Sequence, residues 1–421
     1  MPHASRRLQS YSRGPRGRGV AARHARKSCQ AGVAGAACGH QCRPMPWRHL
    51  KPNQSTKENA MSTAKAWDKG PAGVMGPDEG PAYWQPAPTG GWVTLKYIPA
   101  TFAFDAAACG IQVIPPGGRL PLRALRASEL LWYVMSGSAT ALLDGKVHRL
   151  EAGSAVALGR QVPHSLENDG AEDLQLFFWV TPPGYEEILA CIGRPRSAGD
   201  AAPGPFAEPE VDTGALSSPL MSEAEMSASY PTSGKGRVTV VGAHEGTSAH
   251  WQAPPARGYI QMKFTTANVA SNRFGSGLQV LPPGGFIPPH AHTSNEEVLL
   301  IVRGRGQAIV DDVPMDVEPG SLAFVSRWVK HTIVNTGDEN MYVLAIVTPL
   351  GGLDKIISMP GFSIPVVPGE PEPDWAGFDM SMFDEQEAGV ALESTCLNLP
   401  FQVDIHNREA GEPAALRPIS A

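Results

Sequence analysis

Gly284-Gly285-Phe286-Ile287-Pro288-Pro289-His290-Ala291-His292-Thr293-Ser294-Asn295-Glu296-Glu297-Val298-Leu299-Leu300-Ile301-Val302-Arg303-Gly304 is the stretch on which the reading of this chain turns. Two glycines break the chain, then two histidines stand one residue apart. In a strand, residues i and i+2 point to the same face, so His290 and His292 converge. A short turn follows, then an apolar run over Glu297–Arg303 that reads as a buried strand. Its alternation places Glu297, Leu299 and Ile301 on one face. Beyond Gly320 and a further strand comes His331, late enough to return to the same interior. Three imidazoles and one carboxylate suit a single divalent transition metal: Fe(II) or Mn first, with Ni, Co, Cu or Zn as alternatives. Four ligands on an octahedral ion leave two positions open, as a catalytic site requires. Glu297 is in addition the candidate general base.

Working outward, the same pattern occurs earlier in the chain without its ligands. At a constant offset of 167 residues, Trp84-Gln85 recurs as Trp251-Gln252, Lys96 as Lys263 and Gln112 as Gln279. Pro115-Pro116-Gly117-Gly118 recurs as Pro282-Pro283-Gly284-Gly285, Gly153 as Gly320, His164 as His331 and Asn168 as Asn335. No gap is needed over the repeat, so the protein is a tandem duplication. Short strands punctuated by Gly, Pro and Asp make each half a β-sandwich or barrel. With 45 Gly and 40 Pro among 421 residues, turns and linkers are favoured over a helix bundle.

The predicted organisation is a disordered basic extension (1–60), an N-terminal barrel (61–195), a linker (196–235), a C-terminal metal-binding barrel (236–365) and a C-terminal arm (366–421). Glu208-Pro209-Glu210 in the linker echoes Glu370-Pro371-Glu372 in the arm, and both are expected to wrap the opposite barrel. The extension holds twelve Lys/Arg against Glu58 alone. It fits a transit-type peptide, a nucleic-acid tail, or an upstream extension with Met61 as the working start; the last is preferred. The remainder is strongly acidic, which argues against a nucleic-acid partner, since phosphate contacts need Lys and Arg. No run of eighteen apolar residues occurs, so no membrane-spanning helix is predicted. Six scattered cysteines do not form a disulfide framework, and a cytoplasmic protein is expected.

The spacing of the second half resembles the two motifs of the cupin superfamily. The first motif, Gly-x5-His-x-His-x4-Glu-x6-Gly, is matched by Gly284, His290, His292, Glu297 and Gly304. The second, Gly-x5-Pro-x-Gly-x2-His-x3-Asn, is matched by Gly320, His331 and Asn335, with Ser326 in place of the family Pro and Trp328 in place of the family Gly. The resemblance implies an all-β protein of two jelly-roll barrels, a bicupin similar to quercetin-dioxygenase-like and germin-like proteins. At the repeat offset the ligands become Arg123, Leu125 and Leu130, with only His164 kept, so the first barrel is expected to be metal-free. Met262, Phe286, Leu299, Ile301 and Phe324 are the expected apolar walls of the pocket, with Arg327 and Trp328 at its mouth.

These readings point to an enzyme acting on a small oxygen-rich molecule that chelates the metal, with dioxygen as co-substrate in the favoured case. A redox-neutral decarboxylase, isomerase, lyase or hydrolase, and a non-enzymatic binding or storage protein, are the alternatives. A homo-oligomer is expected by analogy.

Overall fold

The computed structural model describes residues 70–377, apart from 213, 215, 229–236, 255, 272, 288, 293–294 and 351–363, together with the strands Val390–Leu392 and Phe401–Val403. The basic extension lies outside the described residues.

Each half forms a large and a small antiparallel sheet. In the N-terminal half, Ala82–Trp84, Trp92–Leu95, Ala108–Ile114, Leu174–Thr181, Glu129–Ser136 and Ala155–Leu158 lie in that order across the large sheet. Arg119–Arg123, His164–Glu167, Ser138–Leu143 and Lys146–Glu151 make the small one. The C-terminal half repeats this with Ser248–Trp251, Tyr259–Phe264, Gly275–Leu281, Met341–Thr348, Glu296–Arg303 and Leu322–Val325 in its large sheet. Val313–Val317, Gly306–Val310, His331–Asn335 and His290–His292 follow in its small sheet. The all-β jelly-roll expectation holds for both halves.

Apolar alternation explains the layering. Inward residues of the N-terminal sheets, among them Leu130, Trp132, Val134, Leu143 and Leu166, fill one core. Leu299, Ile301, Ala308, Ile333 and Val343 fill the other. The opposite faces of the two large sheets are also apolar, and they pack against each other through Leu131, Tyr133, Phe177 and Trp179 on one side and Val298, Leu300, Phe324 and Ile346 on the other. A strand that is buried on both faces reads as a continuous apolar run, which is what Glu129–Ser136 and Glu296–Arg303 do.

The halves also trade strands. Ala72–Met75, from the N-terminal half, pairs with Leu322–Val325 of the C-terminal barrel. Val238–Val241, from the C-terminal half, pairs with Ala155–Leu158 of the N-terminal barrel. The predicted boundaries at 61–195 and 236–365 therefore cut across each barrel by one strand. A buried lysine fastens the turn after each exchanged strand. Lys96 Nζ donates to the carbonyls of Gly76, Pro77 and Glu79 at 2.7, 2.6 and 2.9 Å. Lys263 does the same to Gly242, Ala243 and Glu245 at 2.8, 2.7 and 2.9 Å. Burial pulls both ammonium groups down to about 8.

The arms do not cross as expected. Glu208 in the linker pairs with Arg123 at 2.6 Å, and Phe206 accepts from Ala87 N, both on the N-terminal barrel. Met221 N donates to Ala124 O at 2.9 Å, closing that barrel's rim. The segment after the second barrel returns to its own barrel too: Trp251 N donates to Ile364 O, and Phe401–Val403 pairs with His290–His292. Each arm is tethered directly to its own barrel. Helix Tyr185–Ile192, absent from the sequence reading, buries Tyr185, Ile188, Leu189 and Ile192 on the N-terminal core. No helix among the described residues is long and apolar enough to cross a membrane.

Candidate metal centre

The duplicated fold sets the ligand positions. His290 and His331 are direct cross-strand partners in the small sheet. Glu297 opens the neighbouring strand of the large sheet, opposite Val325 and Val347. The barrel thus brings two imidazoles from one strand of the small sheet, a third from the adjoining strand and a carboxylate from the facing sheet to one end of the interior.

The donor atoms of His290, His292, Glu297 and His331 all lie within 4.8 Å of one another, and all four residues are buried. Glu297 Oε2 stands 2.9 Å from His331 Nε2, 3.1 Å from His292 Nε2 and 3.9 Å from His290 Nε2. An ion about 2.1 Å from each donor would hold cis neighbours about 3 Å apart, so the cluster could hold a metal ion with small adjustments. Burial pushes the Glu297 carboxyl up, but hydrogen bonds from His292 and His331 outweigh it and hold the group well below the usual carboxylate range. Among the described residues this is the one group of three or more His, Cys, Asp or Glu side chains that could hold an ion.

The orientation of His331 is fixed from behind. Its Nδ1–H donates to Val329 O at 2.9 Å, which turns Nε2 to the interior. A second hydrogen bond of this kind sets both tautomer and ring plane. His164 makes the same bond, from Nδ1 to Val162 O at 2.8 Å. There, however, the interior is filled. Trp132, the counterpart of Leu299, stacks edge-on to His164 with ring centroids 5.2 Å apart. Leu125 and Leu130 are core residues, and Arg123 turns to Glu208. Burial, assisted by the Arg123 charge, pushes the His164 imidazolium down to about 4, so this histidine is neutral.

The expected pocket walls divide by strand parity. Leu299 and Ile301 face the interior core. Met262 joins them by register, through Gly277 and Ala345 to Leu299. Phe286 and Phe324 do not. Phe286 bridges to Val334 while its neighbour Ile287 enters the core. Phe324 faces the other barrel and packs on Tyr97, Phe102 and Phe104. A shift of one residue along a strand reverses the face, and aromatic size alone misled the reading at both positions. The wall next to the ligands is instead Val310, Val325 and Val329, which pack together. Val310 pairs with His331 and Val325 with Glu297; following the alternation back from the two ligands would have found them.

Arg327 lies at the surface with Nε 3.6 Å from Glu296. The same pair recurs in the other barrel as Arg160 and Glu129 at 3.9 Å. A pair present in both halves belongs to the fold before it belongs to a substrate. Trp328 occupies the turn before His331 with φ of 62°, and its counterpart Gln161 has φ of 61°. The site Trp328 holds thus takes the left-handed conformation that a Gly adopts without strain.

A duplicated pair of jelly-roll barrels, with a His3Glu cluster inside one of them, defines the class. Comparison with known proteins gives the family: the Cupin domain matches residues 110–181 and again 277–347, one match in each barrel, and the chain is a two-domain cupin. Protein SchB of Streptomyces halstedii is 28% identical over 100 residues, which are 23% of this chain and 72% of that protein. Among solved structures, procruciferin, an 11S globulin of Brassica napus, is 12% identical with a TM-score of 0.47, covering 69% of this chain and 87% of its own. An oxalate decarboxylase variant of Bacillus subtilis is 15% identical with a TM-score of 0.46, covering 68% and 80%.

Proposed function

We propose that His290, His292, Glu297 and His331 are the metal ligands of an enzyme, most simply a dioxygenase, acting on a small molecule that chelates the ion through two oxygens. The observation that carries this reading is the convergence of four buried donor atoms within 4.8 Å, in one barrel only among the described residues. A structural role would not need a set with two coordination positions left over. When bound, Fe(II) or Mn would supply Lewis acidity and one-electron chemistry with dioxygen.

The chain's own residues supply the rest. The Val329 carbonyl keeps His331 in one tautomer, with Nε2 pointing inward. Val310, Val325 and Val329 keep water from one side of the site, which strengthens every electrostatic contact inside it. Glu297, released from the ion, would serve as general base and take the proton of the substrate hydroxyl. Leu299, Ile301 and Met262 shape an apolar floor that favours a flat carbon skeleton over a sugar. A cytoplasmic setting fits the buried Cys109, which forms no disulfide.

The test is metal analysis of protein purified without added metal, followed by oxygen uptake against a panel of catechols, 1,3-diketones and 2-oxo acids. One equivalent of metal and substrate-dependent oxygen consumption are expected. Undiminished turnover without oxygen would make the enzyme redox-neutral. Metal without turnover of any kind would leave a binding protein.

A further inference from the structure

The turn at residues 326–329 is held from both sides. Trp328 N donates to His292 O at 2.7 Å. On the other side, Ser326 N donates to Pro71 O at 3.1 Å and Gly70 N to Arg327 O at 3.3 Å. The backbone conformation is therefore dictated by its surroundings, including the left-handed φ of 62° at Trp328. Large side chains avoid this region because Cβ crowds the following carbonyl, and for a bulky residue it is a conformational outlier.

The turn itself does not ask for an indole. In the N-terminal barrel Gln161 has the same φ and makes the same bond, from its N to Leu125 O at 2.8 Å. The two turns differ in what lies next to them. Gln161 is exposed and adjoins Leu125 and His164 of a filled core, whereas Trp328 is bonded to one expected ligand, His292, and stands three residues before another, His331. Trp328 is half-buried. Strained residues that the surroundings over-determine concentrate at functional sites.

We infer that Trp328 is a specificity-determining residue, whose indole forms an aromatic wall at the mouth of the metal centre and selects flat aromatic chelators over aliphatic ones. This deepens the metal-centre reading and rests on it. A ring stacked on indole while its two vicinal oxygens reach the ion gains an attraction that an aliphatic chelator of the same donor set lacks.

The experiment compares the metal-loaded full chain with its Trp328→Gln and Trp328→Phe variants. Gln is the residue that the other barrel places in this turn, so the backbone is preserved. Two probes are titrated by calorimetry: 4-nitrocatechol, which is aromatic, and acetohydroxamate, which is not. The expected result is unchanged metal content in all three proteins. In Trp328→Gln, 4-nitrocatechol binds about tenfold more weakly while acetohydroxamate stays within about twofold, and Trp328→Phe recovers most of the loss. If metal is present but Trp328→Gln leaves 4-nitrocatechol binding unchanged, or weakens both probes alike, the selectivity assignment is wrong and the metal centre stands. If the wild-type chain takes up no metal, the metal-centre reading falls first and this inference goes with it.

Discussion

At His331 and His164 the chain builds the same local structure twice and obtains opposite results. Both rings donate Nδ1–H to the carbonyl two residues earlier, and both are buried at the same end of a jelly roll. In one barrel the inward nitrogen meets a carboxylate and two further imidazoles. In the other it meets the edge of Trp132, with Leu125 and Leu130 where the remaining donors would be. A barrel of this kind thus folds equally well around a ring of donors or around apolar volume. The donors are extras laid on a scaffold that does not need them, and exchanging residues between the halves tests this.

The largest effect is expected from Glu297→Leu, which installs the residue of the empty barrel. Metal affinity should fall by at least about 100-fold, since losing an outer-shell partner alone costs 10–100-fold. The metal-free fold should lose stability as well, because the His292 and His331 ring nitrogens lose their buried carboxylate partner. Metal titration followed by thermal melting checks both, and retained affinity would break the contrast between the barrels.

The exchanged-strand lysines come next. Lys96→Met and Lys263→Met each remove a charged donor from three carbonyls. A loss of roughly 4 kcal/mol is expected in each case, measured by urea unfolding. Equal losses would confirm that the two halves share one fastening; a loss on one side alone would show that they do not.

A pH effect singles out the empty barrel. The folded state holds His164 at about 4, below the unfolded value near 6.5. The unfolded chain therefore binds the extra proton between these values. The stability that this burial contributes is whole above about pH 6.5 and is lost as pH falls towards 4, up to roughly 3 kcal/mol. His164→Phe should flatten this part of the profile in denaturant midpoints taken from pH 4.5 to 7; an unaltered slope would assign it to other groups.

The smallest effect is expected at the paired surface arginines. Arg160→Gln and Arg327→Gln should each cost roughly 0.5 kcal/mol or less, because both side chains are more than half exposed. A large kinetic effect of Arg327→Gln alone would show that this copy has acquired a role at the mouth.

The repeat and the ligand cluster were legible in sequence because both are matters of spacing. His-x-His and a carboxylate five residues on keep their meaning whatever surrounds them, and a constant offset of 167 residues exposes the duplication without any packing argument. What stayed hidden depends on contacts between distant segments. Nothing local in Ala72–Met75 says that it will join the other barrel. Phe324 and Phe286 looked like pocket walls because large aromatics favour interiors, yet this molecule has a third apolar layer between its large sheets, and Phe324 belongs to that layer. Helix Tyr185–Ile192 has only eight residues, too few for its period to stand out.

The reciprocal trade of strands has a consequence for how this protein can be taken apart. Val238–Val241 completes a sheet to which its own half contributes nothing else, and Ala72–Met75 does the same in reverse. A protease that nicks the connection between the halves would leave two interlocked pieces that still migrate together until denatured. For the same reason, deleting the N-terminal barrel would strip an edge from the C-terminal one, so a lineage that inherited the doubled gene could not easily discard either copy.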